Sequence, residues 1–185
     1  MIDTRWSEAL IELVGLRIGE RLIESSYSLN MPVLLIDRDA ITEVAGALKE
    51  GSSAGRIDIL LDVTAVDYQE HTESHPHRFA VIWHFLDLTG GRRIRVKAYV
   101  PEGDSLPTLS GLFPAANWAE REVFDMMGIQ FDGHPNLQRI LMPDDYEGHP
   151  QRKDFPIEGP ERAKSRRGEL LGNKQMISWK EIHDL

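Results

Sequence analysis

The chain contains no cysteine in its 185 residues. That absence excludes disulfides, zinc ribbons, nucleophilic thiols and the thiolate ligation on which iron–sulfur clusters normally depend. Long apolar runs are also lacking. A membrane helix needs roughly 18 or more consecutive apolar residues, and the longest candidates, Ile59 to Val66 and Phe79 to Leu86, are broken by Asp62 and His84 and have strand length. The opening Met1-Ile2-Asp3-Thr4-Arg5-Trp6 has no basic segment leading into an apolar stretch, so no secretory signal is expected. A soluble chain that stays on the side of the membrane where it is made is the expectation. Phosphate-cradling glycine motifs are missing too: the glycines at 15, 19, 46, 51, 55, 90, 91 and 103 nowhere spell GxGxxG, a P-loop or a Gly-x-Ser-x-Gly elbow.

Positive charge is scarce in most of the chain. Residues 1–150 hold 13 Lys and Arg against 24 Asp and Glu, whereas residues 151–185 hold 8 against 6. An acidic body argues against nucleic-acid binding, which draws its affinity from clustered positive charge. What is present is enough apolar residue, 41%, to build one core.

Apolar residues at Ala9, Leu10, Leu13, Val14 and Leu16, close to helical spacing, predict a helix from about Trp6 to Leu16. Short strands are expected over Glu20 to Ser28 and Val33 to Ile36. A helix capped by Asp37 or Asp39 then runs to about Lys49, with Ile41, Val44, Ala45 and Leu48 inward. Ile57 to Tyr68 and Phe79 to Leu88 read as strands. Thr89-Gly90-Gly91-Arg92 signals a tight hairpin, because glycine tolerates positive φ at the central turn positions. Beyond it Ile94, Val96, Ala98 and Val100 alternate with Arg93, Arg95, Lys97 and Tyr99, so one face of that strand is apolar and the other basic. After a Pro- and Gly-rich loop, a helix from Ala115 to about Met127 carries an apolar stripe of Ala116, Ala119, Val123 and Met127. Trp118, Arg121, Glu122 and Asp125 are assigned to another face, and Gly128 stops the helix.

The order α-β-β-α-β-β-β-α predicts one α+β domain, residues 1–128, with helices packed on a largely antiparallel sheet. From Ile129 prolines recur and apolar periodicity fades, so residues 129–185 read as an extended, irregular C-terminal tail. Phe131, Leu137, Ile140, Leu141, Met142, Tyr146, Phe155, Ile157, Met176, Ile177 and Trp179 are spaced through it. Disordered segments are usually poor in such residues, so the expectation is a tail ordered by packing across a partner.

Four constellations invite chemistry. His134 and His149, each in a Gly-His-Pro unit near Asp132, Asp144, Asp145 and Glu147, could bind a metal. No helix presents them together, and a turn held by a histidine hydrogen bond is the favoured reading. His71, His75 and His77 form a second loose group in a loop, read the same way. Glu120, Glu122 and Asp125 could do acid–base work, but beside Arg121 they are better read as ion pairs at helical spacing or salt bridges to another chain. The fourth is Arg152, Lys153, Arg162, Lys164, Arg166 and Arg167, which could touch anionic lipid or an acidic neighbour, or be a solvated tail.

Residues 113–156 read FPAANWAEREVFDMMGIQFDGHPNLQRILMPDDYEGHPQRKDFP. This stretch resembles the respiratory-chain 30 kDa subunit family, the C subunits of bacterial NADH:quinone oxidoreductase (complex I). The matching positions are Trp118, Glu120, Arg121, Glu122, Asp125, Gly128, His134, Pro135, Arg139, Ile140, Leu141, Pro143, Gly148, Pro150, Arg152, Lys153 and Asp154. The preceding Leu61-Asp62-Val63-Thr64-Ala65-Val66-Asp67-Tyr68 is similar to the family as well. Phe124, Met127, Tyr146 and Gln151 stand where Tyr, Phe, Trp and Leu are commoner. The resemblance implies the stand-alone form of a subunit of the hydrophilic arm, packed beside the 49 kDa-type subunit, on the cytoplasmic face of the bacterial plasma membrane. It implies no active site, cofactor or metal in this chain, with FMN, iron–sulfur clusters and quinone held by partner subunits. The expected interface is Trp118, Glu120, Arg121, Glu122, Asp125, His134, Pro135, Arg139, Pro143, Tyr146, His149, Arg152, Lys153 and Asp154. Two other readings stay open on the residues alone: the equivalent subunit of a ferredoxin- or F420H2-linked quinone reductase or membrane-bound hydrogenase, and an independent metallohydrolase.

Overall fold

The computed structural model describes residues 4–52 and 55–160. Helix α1 (Thr4–Ile18) leads to strands β1 (Leu22–Ser28) and β2 (Met31–Ile36), then helix α2 (Ile41–Glu50). Strands β3 (Ile59–Asp67), β4 (Phe79–Asp87) and β5 (Arg92–Val100) follow, then short β6 (Ser105–Pro107), helix α3 (Ala116–Met127) and short β7 (Gln130–Asp132). The main sheet has the order β1-β2-β5-β4-β3. Three of its neighbour pairs are antiparallel, and β2 with β5 is parallel. The predicted α+β class and its mostly antiparallel sheet are therefore present.

Periodicity explains how the layers meet. Trp6, Leu10, Val14 and Ile18 recur every four residues on α1 and are buried, as are Ile41, Val44, Ala45 and Leu48 on α2. Phe79, Val81, Trp83 and Phe85 of β4, and Ile94, Val96, Ala98 and Val100 of β5, supply the sheet face of the same core. Val123, Met126 and Met127 of α3 join that cluster. The β1–β2 turn has positive φ at both Leu29 (51°) and Asn30 (66°), the conformation that matches the twist of a two-residue hairpin. At the β4–β5 turn the buried Asp87 accepts from the amides of Thr89 and Gly90 and from Arg92.

Two elements were not expected. β6 and β7 pair in parallel, Leu106 opposite Phe131, and bury both side chains, inside stretches expected to be loop and irregular tail. Three residues each give too little alternation to register as strands. The C-cap Gly128 adopts φ 76°, as its place at the end of the helix predicts.

Candidate functional site

The end of α3 is where the densest set of family-like residues gathers, and its chemistry starts from the helix itself. The last carbonyls of any helix lack intrahelical donors. Here each finds one: Phe124 O accepts from the Gly128 amide at 2.8 Å, and Asp125 O lies 2.9 Å from His149 Nδ1. Met126 O accepts from the Gln151 amide at 3.1 Å, and Met127 O from Arg152 Nε at 2.6 Å. Residues 149–152 thus complete the helix end, with Arg139 and Arg152 placed where the helix dipole favours cations.

Asp125 organises the loop above. Its Oδ2 accepts the backbone amides of Ile140, Leu141 and Met142 at 3.0, 2.8 and 2.9 Å, and its Oδ1 accepts Arg139 Nη1 at 2.6 Å. Arg139 reaches on to the carbonyls of Tyr146 and Gly148, both at 2.9 Å. Arg121 donates to the carbonyls of Gln138 and Arg139 while its guanidinium lies over the Trp118 ring. Burial alone would raise the Asp125 carboxyl, but the amides of Met142 and Leu141 together with Arg139 outweigh it and hold it below the usual carboxylate range. The His149 imidazole is pushed down, chiefly by burial.

A second anchor comes from the far end of β3. Asp67, buried, accepts both Arg78 donors and the amides of Gln69 and Lys153. Arg78 also reaches Glu102 and Asp154, and Arg152 reaches Glu102 at 3.0 Å. Burial raises the Asp67 carboxyl, but the Arg78 hydrogen bonds and the two amides more than offset this and leave it depressed. Asp67, Arg78 and Glu102 were absent from the expected site. No local pattern joins Asp67 to Lys153, and only the Leu61–Tyr68 similarity pointed to that strand.

The expected interface residues divide into two groups. Glu120 and Asp125, which were expected to face a partner, are 0% exposed and bond to this chain. Asp125 misleads because Val123, Met126 and Met127 define the buried side so strongly that an acidic neighbour reads as outward. Arg121, Arg139, Tyr146, His149 and Arg152 are half-buried; the side chains of Arg121, Arg139, His149 and Arg152 bond within this chain, and the Tyr146 ring stacks on Phe155. Asp154 is exposed but salt-bridged to Arg78. Trp118 (66% exposed), Glu122, Pro135, Pro143 and Lys153 are outward. His134 lies against the Asn117 carbonyl at 3.1 Å and accepts the Asn136 amide, the turn-holding role read for it. Bonds from Arg121, Asp125, Met127 and Arg78 to residues 138–154 cross the expected boundary at residue 128. Arg162, Lys164, Arg166, Arg167, Met176, Ile177 and Trp179 lie outside the described residues.

Paired-carboxylate catalysis has no geometry here: Glu120 and Asp125 serve separate partners, and all the oxygens of Asp125 are occupied. What the arrangement does is fix an irregular segment rigidly from beneath. Its outer side carries Leu141 (54% exposed) and the fully exposed Ile157. Among the described residues no helix is long and apolar enough to cross a membrane.

Fold and site together define a small α+β domain whose C-terminal segment is stapled to the end of its last helix. A family model for the respiratory-chain NADH dehydrogenase 30 kDa subunit matches residues 34–161, and the chain belongs to that family. The C subunit of the NADH-quinone oxidoreductase of Geobacter sulfurreducens is 44% identical over 128 residues, 69% of this chain and 75% of that protein. The corresponding C subunit of Rhodobacter capsulatus is 51% identical over 104 residues, 56% of this chain and half of that one. Among solved structures, a trypsin-resistant fragment of Nqo5 superposes with a TM-score of 0.57 at 28% identity, covering 70% of this chain and 99% of the fragment. A chain of an archaeal membrane-bound sulfane sulfur reductase shares the fold, with a TM-score of 0.68 at 22% identity over 92% of this chain and 95% of that one.

Proposed function

We propose that this chain is a cofactor-free structural and assembly subunit in the hydrophilic arm of a proton-translocating NADH:quinone oxidoreductase. It packs against the 49 kDa-type subunit, sits peripherally on the cytoplasmic face of the bacterial membrane, and leaves FMN, iron–sulfur clusters and quinone to partner chains. The observation that carries this reading is the stapled segment. Four donors on the Asp125 carboxylate and the capped helix end hold it still, while Trp118, Leu141 and Ile157 stand outward. A rigid segment with exposed apolar anchors loses little conformational entropy on docking. Membership of the 30 kDa family supports the choice of complex, and the total lack of cysteine supports leaving the clusters to other chains.

The test replaces Leu141 and Ile157 together by Asp in a tagged copy, with co-purification from gently solubilised membranes. The 49 kDa-type subunit and NADH:quinone activity are expected to be lost from the eluate while the chain's own melting temperature stays unchanged. Full retention of both would refute docking through this surface.

A further inference from the structure

We propose that His71, Glu73 and His75, on the connection between β3 and β4, form a binding site for a divalent transition metal of the zinc class. The proposal is independent of the docking surface on α3.

The connection is shaped at its start. Glu70 adopts φ 63°, uncommon for a residue with a side chain, and the His71 amide donates to Tyr68 O at 3.0 Å. That turn folds the chain back so that His71 and His75 face one another, with ring centroids 4.8 Å apart. His71 Nδ1 and His75 Nε2 are 3.2 Å apart. Two imidazole ligands at about 2.05 Å from a tetrahedral metal have their nitrogens about 3.3 Å apart. The pair already has the separation a shared metal imposes. At this distance two nitrogen lone pairs repel unless a proton or a cation lies between them, so the gap must hold one or the other. A carboxylate oxygen of Glu73 completes a group whose ligand atoms all lie within 4.8 Å of one another. Glu73 is exposed, so its side chain is free to swing inward, and solvent supplies the fourth ligand.

The surroundings orient the site. His75 stacks on the Tyr68 ring at 3.8 Å, and its other nitrogen, Nδ1, lies 3.2 Å from Tyr99 Oη. Lys97 Nζ donates to the hydroxyls of both Tyr99 and Tyr68, at 2.9 and 3.0 Å. Without metal, the Tyr99 hydroxyl donates to His75 Nδ1, and the His75 Nε2 proton fills the gap to His71. With metal, the proton resides on His75 Nδ1 and is accepted by Tyr99 Oη, which has lone pairs for both His75 and Lys97. The Nε2 lone pair is then free for the cation. A metal-binding histidine ordinarily carries such a partner on its second nitrogen. Two features oppose binding: the Glu73 amide, which donates to His71 Nδ1 at 3.2 Å, must turn to water, and the Lys97 charge lies behind Tyr99. The first is cheap because Glu73 is exposed. The second is separated from the gap by a tyrosine and an imidazole. An open cleft lined by Tyr68, Gln69, His75 and Arg78 gives access from solvent.

The experiment titrates ZnCl2 into the tag-free full chain against a chromophoric chelator, and follows the melting temperature in parallel. One zinc per chain is expected to bind at micromolar concentration and raise the melting temperature, since a ligand of the folded state stabilises it. His71→Gln and His75→Gln should each weaken binding at least about ten-fold, Glu73→Gln by a smaller factor, and His77→Gln not at all. His71 lies on the exposed loop, so its variant keeps the test interpretable even where the His75 variant folds poorly. Absence of binding up to about a hundredfold higher zinc, or binding that survives both histidine replacements, would overturn the site.

Discussion

Asp125 and Arg139 form the ion pair on which the C-terminal segment turns: Arg139 Nη1 lies 2.6 Å from Asp125 Oδ1, and the Asp125 side chain is fully buried. The same guanidinium holds two carbonyls of the loop, and the same carboxylate holds three of its amides. Neither residue can be removed without leaving its own partners, the other residue among them, unsatisfied. A buried charge left unpaired costs far more than a surface pair contributes.

Asp125→Asn removes the charge and turns an amide group towards donors. The folded carboxyl is depressed, so its contribution to stability is complete above the unfolded value of about 3.9 and disappears as pH falls through the lower folded value. At neutral pH the variant should lose about 2–4 kcal/mol in urea unfolding. The amides of Ile140, Leu141 and Met142 should lose hydrogen-exchange protection. A loss below about 0.5 kcal/mol, within the range of surface substitutions, would show that the loop is held by something else.

Gly128 is the hinge between helix and strap. An alanine there must adopt left-handed backbone, which costs about 1–2 kcal/mol. Its Cβ would also come within 2.5 Å of His149 Nε2 and 2.6 Å of Arg152 Nη2, the side chains that cap α3. Gly128→Ala should therefore cost more than backbone strain alone, about 2 kcal/mol or above, and expose residues 149–155 to limited proteolysis. A loss of about 1 kcal/mol with unchanged proteolysis would mean that both side chains move aside freely.

Asp67 and Asp154 share Arg78, and both carboxyls are depressed: Asp154 chiefly by Arg78, Asp67 by Arg78 and two amides acting against burial. Their stabilisation is present above about pH 4 and is lost as pH falls through the folded values. The strap at Lys153 should loosen there, and Asp67→Asn should bring the same loosening to neutral pH. Exchange of the Lys153 amide, which donates to Asp67 at 2.9 Å, reads it directly. Equal exchange in variant and parent at pH 7 would contradict the assignment.

How much of this was legible follows the kind of signal each feature leaves. The alternation of Ile94, Val96, Ala98 and Val100 and the four-residue spacing of Leu10 and Val14 are local, so strands and helices could be read directly. The parallel pairing of β2 with β5 could not, because residues 31–36 and 92–100 meet only through the fold. The site was legible as a run of family-like residues, but not as a structure. Asp125 reads as a surface acid until the amides of residues 140–142 are seen to converge on it. Asp67 is 86 residues from the amide it holds, and no spacing rule spans that distance.

Glu120 and Asp125 provide the sharpest contrast, because both are fully buried carboxylates on one helix and their environments push them in opposite directions. Asp125 has a guanidinium and three amides. Glu120 accepts from the Thr108 hydroxyl and, at 2.7 Å, from the Leu109 amide, both neutral, and the nearest imidazole nitrogen, of His134, is 4.0 Å away. Burial therefore wins and raises the Glu120 carboxyl, with the two hydrogen bonds only partly offsetting it. A folded carboxyl raised above its unfolded value of about 4.3 binds its proton more tightly in the native state. Its effect is to lower stability as pH climbs from that unfolded value towards the folded one. Glutamine has the same shape and no charge to desolvate. Its carbonyl accepts the Leu109 amide, and its NH2 group donates to Thr108 Oγ1, whose own proton then turns from residue 120 to Ser110 Oγ, 2.9 Å away. Glu120→Gln should thus remain within about 1 kcal/mol of the parent at pH 7 and remove this part of the fall in stability with rising pH, whereas Asp125→Asn is costly. Urea midpoints of both variants between pH 4.5 and 8 test the pair together. A Glu120→Gln variant as damaged as Asp125→Asn would mean that Glu120 is ionised and held by its charge.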